Sequence, residues 1–251
     1  MDYRKSHTSN SKGEDYDKSF RNSDYRQFIL RWEDLVLKNI ISEFVVNKQN
    51  YLDFACGTGR ITKLVEQSFN NAYGIDVSES MIKQATKKVK KAKIIKQDIT
   101  ISNPFESDQM DLITSFRFFL NAEKKLRSEV LDSLHSILNR DGYLVFNIHN
   151  NSTIISRSID KLAIFKKKLD GKKFQPQNSM SISEVRCLLD KHNFEIVKTY
   201  HKALIPLKSE KSTFKISKYT KIENLFSGID FAKHLSRNII YVCRKKQKVN
   251  S

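Results

Sequence analysis

The chain has 251 residues, of which 39% are hydrophobic, and its formal net charge is +17 at pH 7. This length suits one large α/β domain with its own core, and no apolar run approaches the roughly 20 residues that a membrane span requires. The polar N-terminus has no apolar signal-peptide core, and the three cysteines are isolated, so we expect a cytoplasmic protein without a disulfide framework or a metal site.

Residues 1–48 are predicted to form an N-terminal lid followed by a helix. About the first 22 residues are polar and have the character of a mobile lid. Asp24 is the predicted helix cap. The apolar residues that follow recur at helical spacing, which predicts an amphipathic helix with one buried stripe; its members are Phe28, Trp32, Leu35, Val36 and Ile40.

Residues 49–251 are predicted to form the main domain, which opens with a regular alternation of strands and helices. Apolar strands that alternate with helices indicate a doubly wound, mostly parallel sheet covered on both faces. The predicted strands lie at 51–54, 72–76, 93–97, 110–115 and 142–148, and the helices at 60–69, 79–91 and 123–139.

The pattern loosens after His149. A basic amphipathic helix is predicted over 152–169, and Ser181 and Glu184 have the spacing of a capping box at the start of another helix. Two further strands, near 195–203 and 238–243, bring the expected sheet to seven. The segments at about 150–180 and 204–237 are predicted to form caps over the acceptor side.

The stretch "YLDFACGTGR" at 51–60 places two of the seven glycines between a strand and a helix. Such a turn lets a ligand approach the backbone and the helix N-terminus. Thr62 stands where a dinucleotide fingerprint would have its third glycine, and Arg60-Ile61 replaces the Lys-Ser/Thr ending of a Walker loop. Neither of those phosphate-binding motifs is therefore present.

Four motifs in register resemble those of class I S-adenosylmethionine-dependent methyltransferases. "LDFACGTG" is similar to the first motif, with Ala55 in place of its first glycine, and "YGIDVSESMIKQA" to the second. "KQDI" is similar to the third, and "MDLITSF" with "LNRDGYLVFNI" to the fourth and fifth strands. The resemblance covers roughly residues 14–150 and implies the Rossmann-like fold of that family, with S-adenosyl-L-methionine as cofactor.

The resemblance also implies which residues hold the cofactor. Asp76 would accept hydrogen bonds from the ribose hydroxyls, and Asp98 would contact the adenine amino group. An alternative is that these aspartates only cap the helices that follow them. The implied cofactor-binding set is Tyr16, Asp53, Ala55, Gly57, Thr58, Gly59, Asp76, Val77, Met81, Asp98, Ile99 and Ser115.

Two residues are candidates for the acceptor side. Arg117 follows the fourth strand and has the planar fork that clamps an anion; a surface ion pair, for instance with Glu123, is the alternative. His149 ends the fifth strand, where an ordinary pKa of about 6.5 suits a general base. A histidine bonded to a loop carbonyl is the alternative for that position.

The acceptor itself is less defined by the sequence. The layout is similar to bacterial small-molecule methyltransferases, which suggests methyl transfer to oxygen or nitrogen of a small polar metabolite, anionic or sugar-like, such as a surface-polysaccharide precursor. The dispersed lysines favour general surface charge over nucleic-acid binding, because aromatics for base stacking are not interleaved with them. An RNA methyltransferase and a catalytically inactive cofactor-binding module are the alternatives. The oligomeric state is left open.

Overall fold

The structure is a computed structural model that describes residues 23–151, 179–202 and 234–247, together with Gly13, Glu14, Tyr16 and Lys18. The predicted helix at 152–169, nearly all of the predicted cap segment 150–180 and most of the cap segment 204–237 lie outside the described residues. Within the described ranges, none of the helices combines the length and the apolar character needed to traverse a bilayer.

Helix α1 spans Asp24–Glu43 and begins at a different cap from the predicted one. The Ser23 hydroxyl accepts a hydrogen bond from the backbone N–H of Arg26 at 3.3 Å, so Ser23 is the cap and Asp24 is the first helical residue. The predicted apolar stripe is also wrong in part, because Leu35 is 59% exposed. The buried face is rotated by about one residue and consists of Ile29, Glu33, Val36, Leu37, Ile40 and Ile41.

The remaining elements follow the predicted order with shifts of a few residues at their ends. The helices are α2 (Arg60–Val65, continued by a 3₁₀ turn over Glu66–Ser68), α3 (Glu79–Lys88), α4 (Lys124–Ile137) and α5 (Ile182–Lys191). The strands are β1 (Asn50–Phe54), β2 (Asn71–Asp76), β3 (Lys93–Lys96), β4 (Met110–Ser115), β5 (Leu138–His149), β6 (Phe194–Lys202) and β7 (Asn238–Lys245).

The seven strands form one sheet in the order β3-β2-β1-β4-β5-β7-β6. Neighbours from β3 to β5 are parallel, whereas β7 runs antiparallel to both β5 and β6. The predicted doubly wound, mostly parallel seven-stranded sheet is therefore confirmed. The order reverses between β1 and β4, and this reversal opens a crevice at the carboxyl ends of the parallel strands.

The connection from α4 to β5 is tighter than predicted. Helix α4 ends at Ile137 and β5 begins at Leu138, so residues 138–141, which precede the predicted strand start at 142, already belong to the strand. Pairing with β4 shifts register there, since Met110 faces Leu138 while Leu112 faces Tyr143. The extra residues of β5 are accommodated as an irregularity in the sheet.

Two apolar cores, one on each face, hold the helices against the sheet. Strand β7 alternates between them, with Ile239 and Tyr241 in the first core and Ile240 and Val242 in the second. The first core packs against α4 and α5, and the second against α1 and α2. The predicted capping box begins α5. The Ser181 hydroxyl accepts a hydrogen bond from the backbone N–H of Glu184, and the Glu184 carboxylate accepts one from the backbone N–H of Ser181.

Candidate functional site

A cleft of about 980 Å³, including its open mouth, lies at the carboxyl ends of β1 to β4. The wall combines the glycine turn after β1 with the residues that follow β2, β3 and β4. The described lining residues are Tyr16, Asp53, Phe54, Ala55, Cys56, Gly57, Thr58, Arg60, Ile61, Ile75, Asp76, Val77, Met81, Gln97, Asp98, Ile99, Phe116, Arg117, Phe118, Asn121, Leu126 and Val130.

The two glycines of the turn serve different purposes. Both have left-handed backbones, with φ of 55° at Gly57 and 74° at Gly59. A Cβ added at Gly57 would meet no atom within 4 Å, whereas one at Gly59 would lie 3.0 Å from Ala85 in α3. Gly57 therefore faces the space that a ligand would fill, and Gly59 allows α2 and α3 to pack closely.

Ala55 occupies the third left-handed position of the turn, with φ of 55°. An L-residue in this conformation carries strain of roughly 1–2 kcal/mol, which the glycine that it replaces in the motif would avoid.

The aspartate that ends β2 and the aspartate that follows β3 both accept hydrogen bonds from backbone N–H groups. Asp76 accepts hydrogen bonds from the N–H of Gly57 at 2.8 Å and of Ser78 at 2.9 Å. Asp98 accepts from the N–H and the hydroxyl of Thr100, at 3.0 and 2.7 Å. Both carboxylates also line the cleft. The capping alternative is wrong, because Ser78 is the N-cap residue of α3 and β3 is followed by no helix before β4 in the described residues. A carboxylate can accept about four hydrogen bonds, so these contacts are compatible with the predicted contacts to a ligand.

Asp53 is buried in the floor of the cleft and ties three elements together. Its two oxygens accept hydrogen bonds from the hydroxyls of Thr62 at 2.6 Å and Thr114 at 2.9 Å. Burial raises the pKa of Asp53 to about 6, although the two threonine bonds act in the opposite direction. Since Thr114 donates its proton to Asp53, the Tyr51 hydroxyl 2.7 Å away must be the donor to Thr114.

Most of the predicted cofactor residues come together in this cleft. Open space beside Gly57, two carboxylates at the strand ends and an apolar wall suit a ligand with a ribose, an aromatic base and an aliphatic arm. Those brought together are Tyr16, Asp53, Ala55, Gly57, Thr58, Asp76, Val77, Met81, Asp98 and Ile99. Gly59 and Ser115 were also predicted, but neither is among the described residues that line it.

Arg117 lines the cleft with a strained backbone, at φ of 73°. Its N–H donates to Asn147 Oδ1 at 2.7 Å, and its Nη2 lies 3.6 Å from Glu33 Oε1. Glu33 is buried, so this contact differs from the exposed ion pair that was the alternative. A bulky residue in the left-handed region persists only where its surroundings hold it, and such positions concentrate at functional sites.

His149 differs from the expectation in two respects. It ends β5 but is not among the described lining residues of the cleft. Burial and the positive charges of Arg117 and Arg237 lower the pKa of His149 to about 3, although a hydrogen bond with Asn238 acts in the opposite direction. The assumption of an ordinary pKa near 6.5 is therefore wrong, and the imidazole is neutral at physiological pH.

Several residues of the site were not found from the sequence. Arg60 lines the cleft, and its Nη2 lies 2.8 Å from Glu33 Oε2. Asn147 donates to Glu33 Oε1 at 3.3 Å. An acidic residue on the apolar stripe of an amphipathic helix was the one available signal for Glu33, and Arg60 stood in the glycine motif itself.

Residues 52–146 match a protein family described as a methyltransferase domain. The chain carries a class I S-adenosylmethionine-dependent methyltransferase domain. The match runs from β1 to β5 and so includes the glycine turn, Asp76 and Asp98. S-adenosyl-L-methionine is accordingly the cofactor of this enzyme.

The chain is similar to curated relatives over part of its length and to solved structures in its fold. An uncharacterized protein of Methanocaldococcus jannaschii is 29% identical, with 74% of each chain covered. A malonyl-[acyl-carrier protein] O-methyltransferase of Coxiella burnetii is 31% identical over 53% of this chain and 54% of its own. Magnesium protoporphyrin IX methyltransferase of Synechocystis PCC 6803, solved with bound S-adenosylhomocysteine, shares the fold at a TM-score of 0.59 and 15% identity, covering 88% of this chain and 85% of that one.

Proposed function

We propose that the enzyme transfers the methyl group to an oxygen or nitrogen of a small polar acceptor, anionic or sugar-like in character. The observation that carries this proposal is Arg117, a cationic side chain on the cleft wall whose strained backbone is held by Asn147. A guanidinium recognises a carboxylate or phosphate through paired, directed hydrogen bonds. A surface-polysaccharide precursor belongs to this class of acceptor.

The cofactor supplies an activated methyl group on a sulfonium, and the chain supplies alignment. In our proposal Asp76 accepts hydrogen bonds from the ribose hydroxyls, Asp98 contacts the adenine end, and Gly57 lets the aliphatic arm approach the backbone. Arg117 then holds the acceptor and the apolar wall excludes water. Alignment of this kind accounts for much of the rate enhancement in a displacement between two bound reactants.

His149 has a different proposed role from that of an ordinary base. A neutral imidazole with a low pKa accepts a hydrogen bond but retains a proton poorly. Burial is the main cause of the low pKa of His149, and an anionic acceptor beside Arg117 and Arg237 would offset the two positive charges that lower it further. We propose that His149 orients the attacking group and takes its proton only once the acceptor is bound.

A turnover screen tests the proposed acceptor class. The full-length enzyme is incubated with S-adenosylmethionine and separate panels of sugar phosphates, small carboxylates, neutral amines and structured RNA, and S-adenosylhomocysteine formation is measured. We expect turnover with an anionic small molecule, reduced in Arg117→Ala chiefly through a higher acceptor KM. Turnover with RNA alone, falling steeply as salt rises, would instead support the RNA methyltransferase alternative.

A further inference from the structure

Helix α1 carries a carboxylate that contacts both arginines of the cleft. Glu33 is fully buried, with 0% of its surface exposed. Its Oε2 lies 2.8 Å from Arg60 Nη2, and its Oε1 lies 3.6 Å from Arg117 Nη2. Arg60 begins α2 beside the glycine turn and Arg117 follows β4, so one side chain links two separate parts of the cleft wall.

Asn147 joins the same network from the interior of β5. Its Nδ2 donates to Glu33 Oε1 at 3.3 Å, and its Oδ1 accepts from the backbone N–H of Arg117 at 2.7 Å. The amide thereby fixes the backbone of Arg117 while Glu33 engages its guanidinium. Asn147 is only 2% exposed, which leaves its amide little freedom to rearrange.

A buried ion pair of this kind is weak evidence for a role in stability. Removing a carboxylate from water costs several kcal/mol, and well-packed apolar residues often replace buried ion pairs without loss of stability. Neighbours of Glu33 on the same helix face, such as Val36 and Leu37, are apolar. A carboxylate at this position is better explained by the need to orient the groups that it contacts.

We infer that Glu33, supported by Asn147, is a positioning residue that holds the guanidinium of Arg117 toward an oxyanion of the acceptor, a carboxylate or phosphate. This inference rests on the proposed function for its acceptor class. Glu33 touches neither reactant; it acts through Arg117, and Arg60 is held by the same carboxylate. Helix α1 is thereby part of the acceptor site rather than only a cover for the sheet.

Arginine side-chain NMR tests the positioning step without cofactor or acceptor. In full-length protein labelled with ¹⁵N-arginine, the Nε–Hε signals of Arg60 and Arg117 are identified by their loss in Arg60→Lys and Arg117→Lys. We expect both signals to move toward the averaged position of mobile arginines in Glu33→Gln, which keeps the shape of the side chain but removes its charge. Asp34→Asn is the matched control, because Asp34 pairs only with Lys38 among the salt bridges that the structure describes. An Arg117 signal unchanged in Glu33→Gln would overturn the inference, whatever the enzyme methylates.

Kinetics with an acceptor from the screen separate positioning from folding. We expect Glu33→Gln to raise the acceptor KM about tenfold with kcat largely retained. The double variant that combines Glu33→Gln with Arg117→Ala should have the same acceptor KM as Arg117→Ala alone. Thermal unfolding monitored by circular dichroism verifies that each variant is folded. Additive effects of the two substitutions on KM would contradict a shared role, even if methyl transfer itself is established.

Discussion

The two sides of the cleft are held in different ways. On the proposed cofactor side, Asp76 and Asp98 each accept a hydrogen bond from the backbone two residues further along the chain, and Asp76 also accepts one from Gly57, 19 residues away. On the acceptor side, Arg117 depends on Asn147 across 30 residues, and Asn147 contacts Glu33 across 114. The contacts of Asp76 and Asp98 thus span at most 19 residues, whereas the proposed acceptor geometry requires α1, β4 and β5 to assemble first.

The largest expected effect separates the two glycines of the cofactor side. Gly57→Ala places a methyl group in the open space of the cleft, so we expect affinity for S-adenosylhomocysteine to fall about a hundredfold. Gly59→Ala is the matched control, because its new methyl meets α3 instead. That variant should lose stability by about 1–3 kcal/mol with its affinity nearly intact. Calorimetric titration and chemical denaturation of both variants measure the difference, and equal losses of affinity would contradict it.

The pKa of Asp53 predicts a pH dependence of stability. Its pKa is raised from 3.8 to about 6 in the folded state, so its proton is bound more tightly there than in the unfolded chain. The contribution of this proton binding to the free energy of unfolding is therefore complete below about pH 4 and is lost as the pH rises through 6. The difference in unfolding free energy between Asp53→Asn and wild type should therefore shift in favour of the variant by about 2–3 kcal/mol as the pH rises from 4 to 7.

Urea denaturation at several pH values measures this difference. Thr62→Val is a useful companion variant, since it removes one of the two hydroxyls that donate to Asp53. In Thr62→Val the pKa of Asp53 should rise further, so the loss of stability should occur at higher pH. A difference between Asp53→Asn and wild type that stays constant across this range would mean that Asp53 is ionised as readily in the folded state as in the unfolded one.

Relief of backbone strain is expected to have a smaller effect. Ala55→Gly removes a left-handed alanine from the turn, and we expect a gain of up to about 1 kcal/mol after the added flexibility of the unfolded chain is subtracted. Asn193 also has positive φ, of 57°, outside the cleft. Asparagine tolerates this conformation better than alanine does, so Asn193→Gly should gain less stability than Ala55→Gly. Denaturation midpoints compare the two, and a loss of stability in Ala55→Gly would show that the methyl group packs usefully.

The smallest expected effect is an absence of change near pH 6.5. Because the pKa of His149 lies at about 3, the profile of log(kcat/KM) against pH should show no inflection from this histidine between pH 5.5 and 7.5. The comparison of wild type with His149→Gln isolates its contribution. An inflection near 6.5 present only in wild type would restore the ordinary general base that the sequence suggested.

These contacts explain which parts of the molecule the sequence could predict. The alternation of apolar strands and helices is a local pattern, so the sheet was predicted. The spacing of Gly57, Asp76 and Asp98 is legible in the same way, and the structure brings these three residues together in one cleft. The cap at Ser23 and the rotated face of α1 were missed because neighbouring residues offered nearly equivalent patterns. The low pKa of His149 and the contacts of Glu33 arise from charges brought together by the fold, and no local pattern encodes them.

The separation of the two sides is tested most directly by one calorimetric comparison. S-adenosylhomocysteine is titrated into wild type, Asp76→Ala and Arg117→Ala under the same conditions. We expect Asp76→Ala to bind at least about tenfold more weakly, through loss of charge-assisted hydrogen bonds, and Arg117→Ala to bind like wild type. Unchanged affinity in Asp76→Ala, or an equal loss in Arg117→Ala, would contradict the division of the cleft into a cofactor side and an acceptor side.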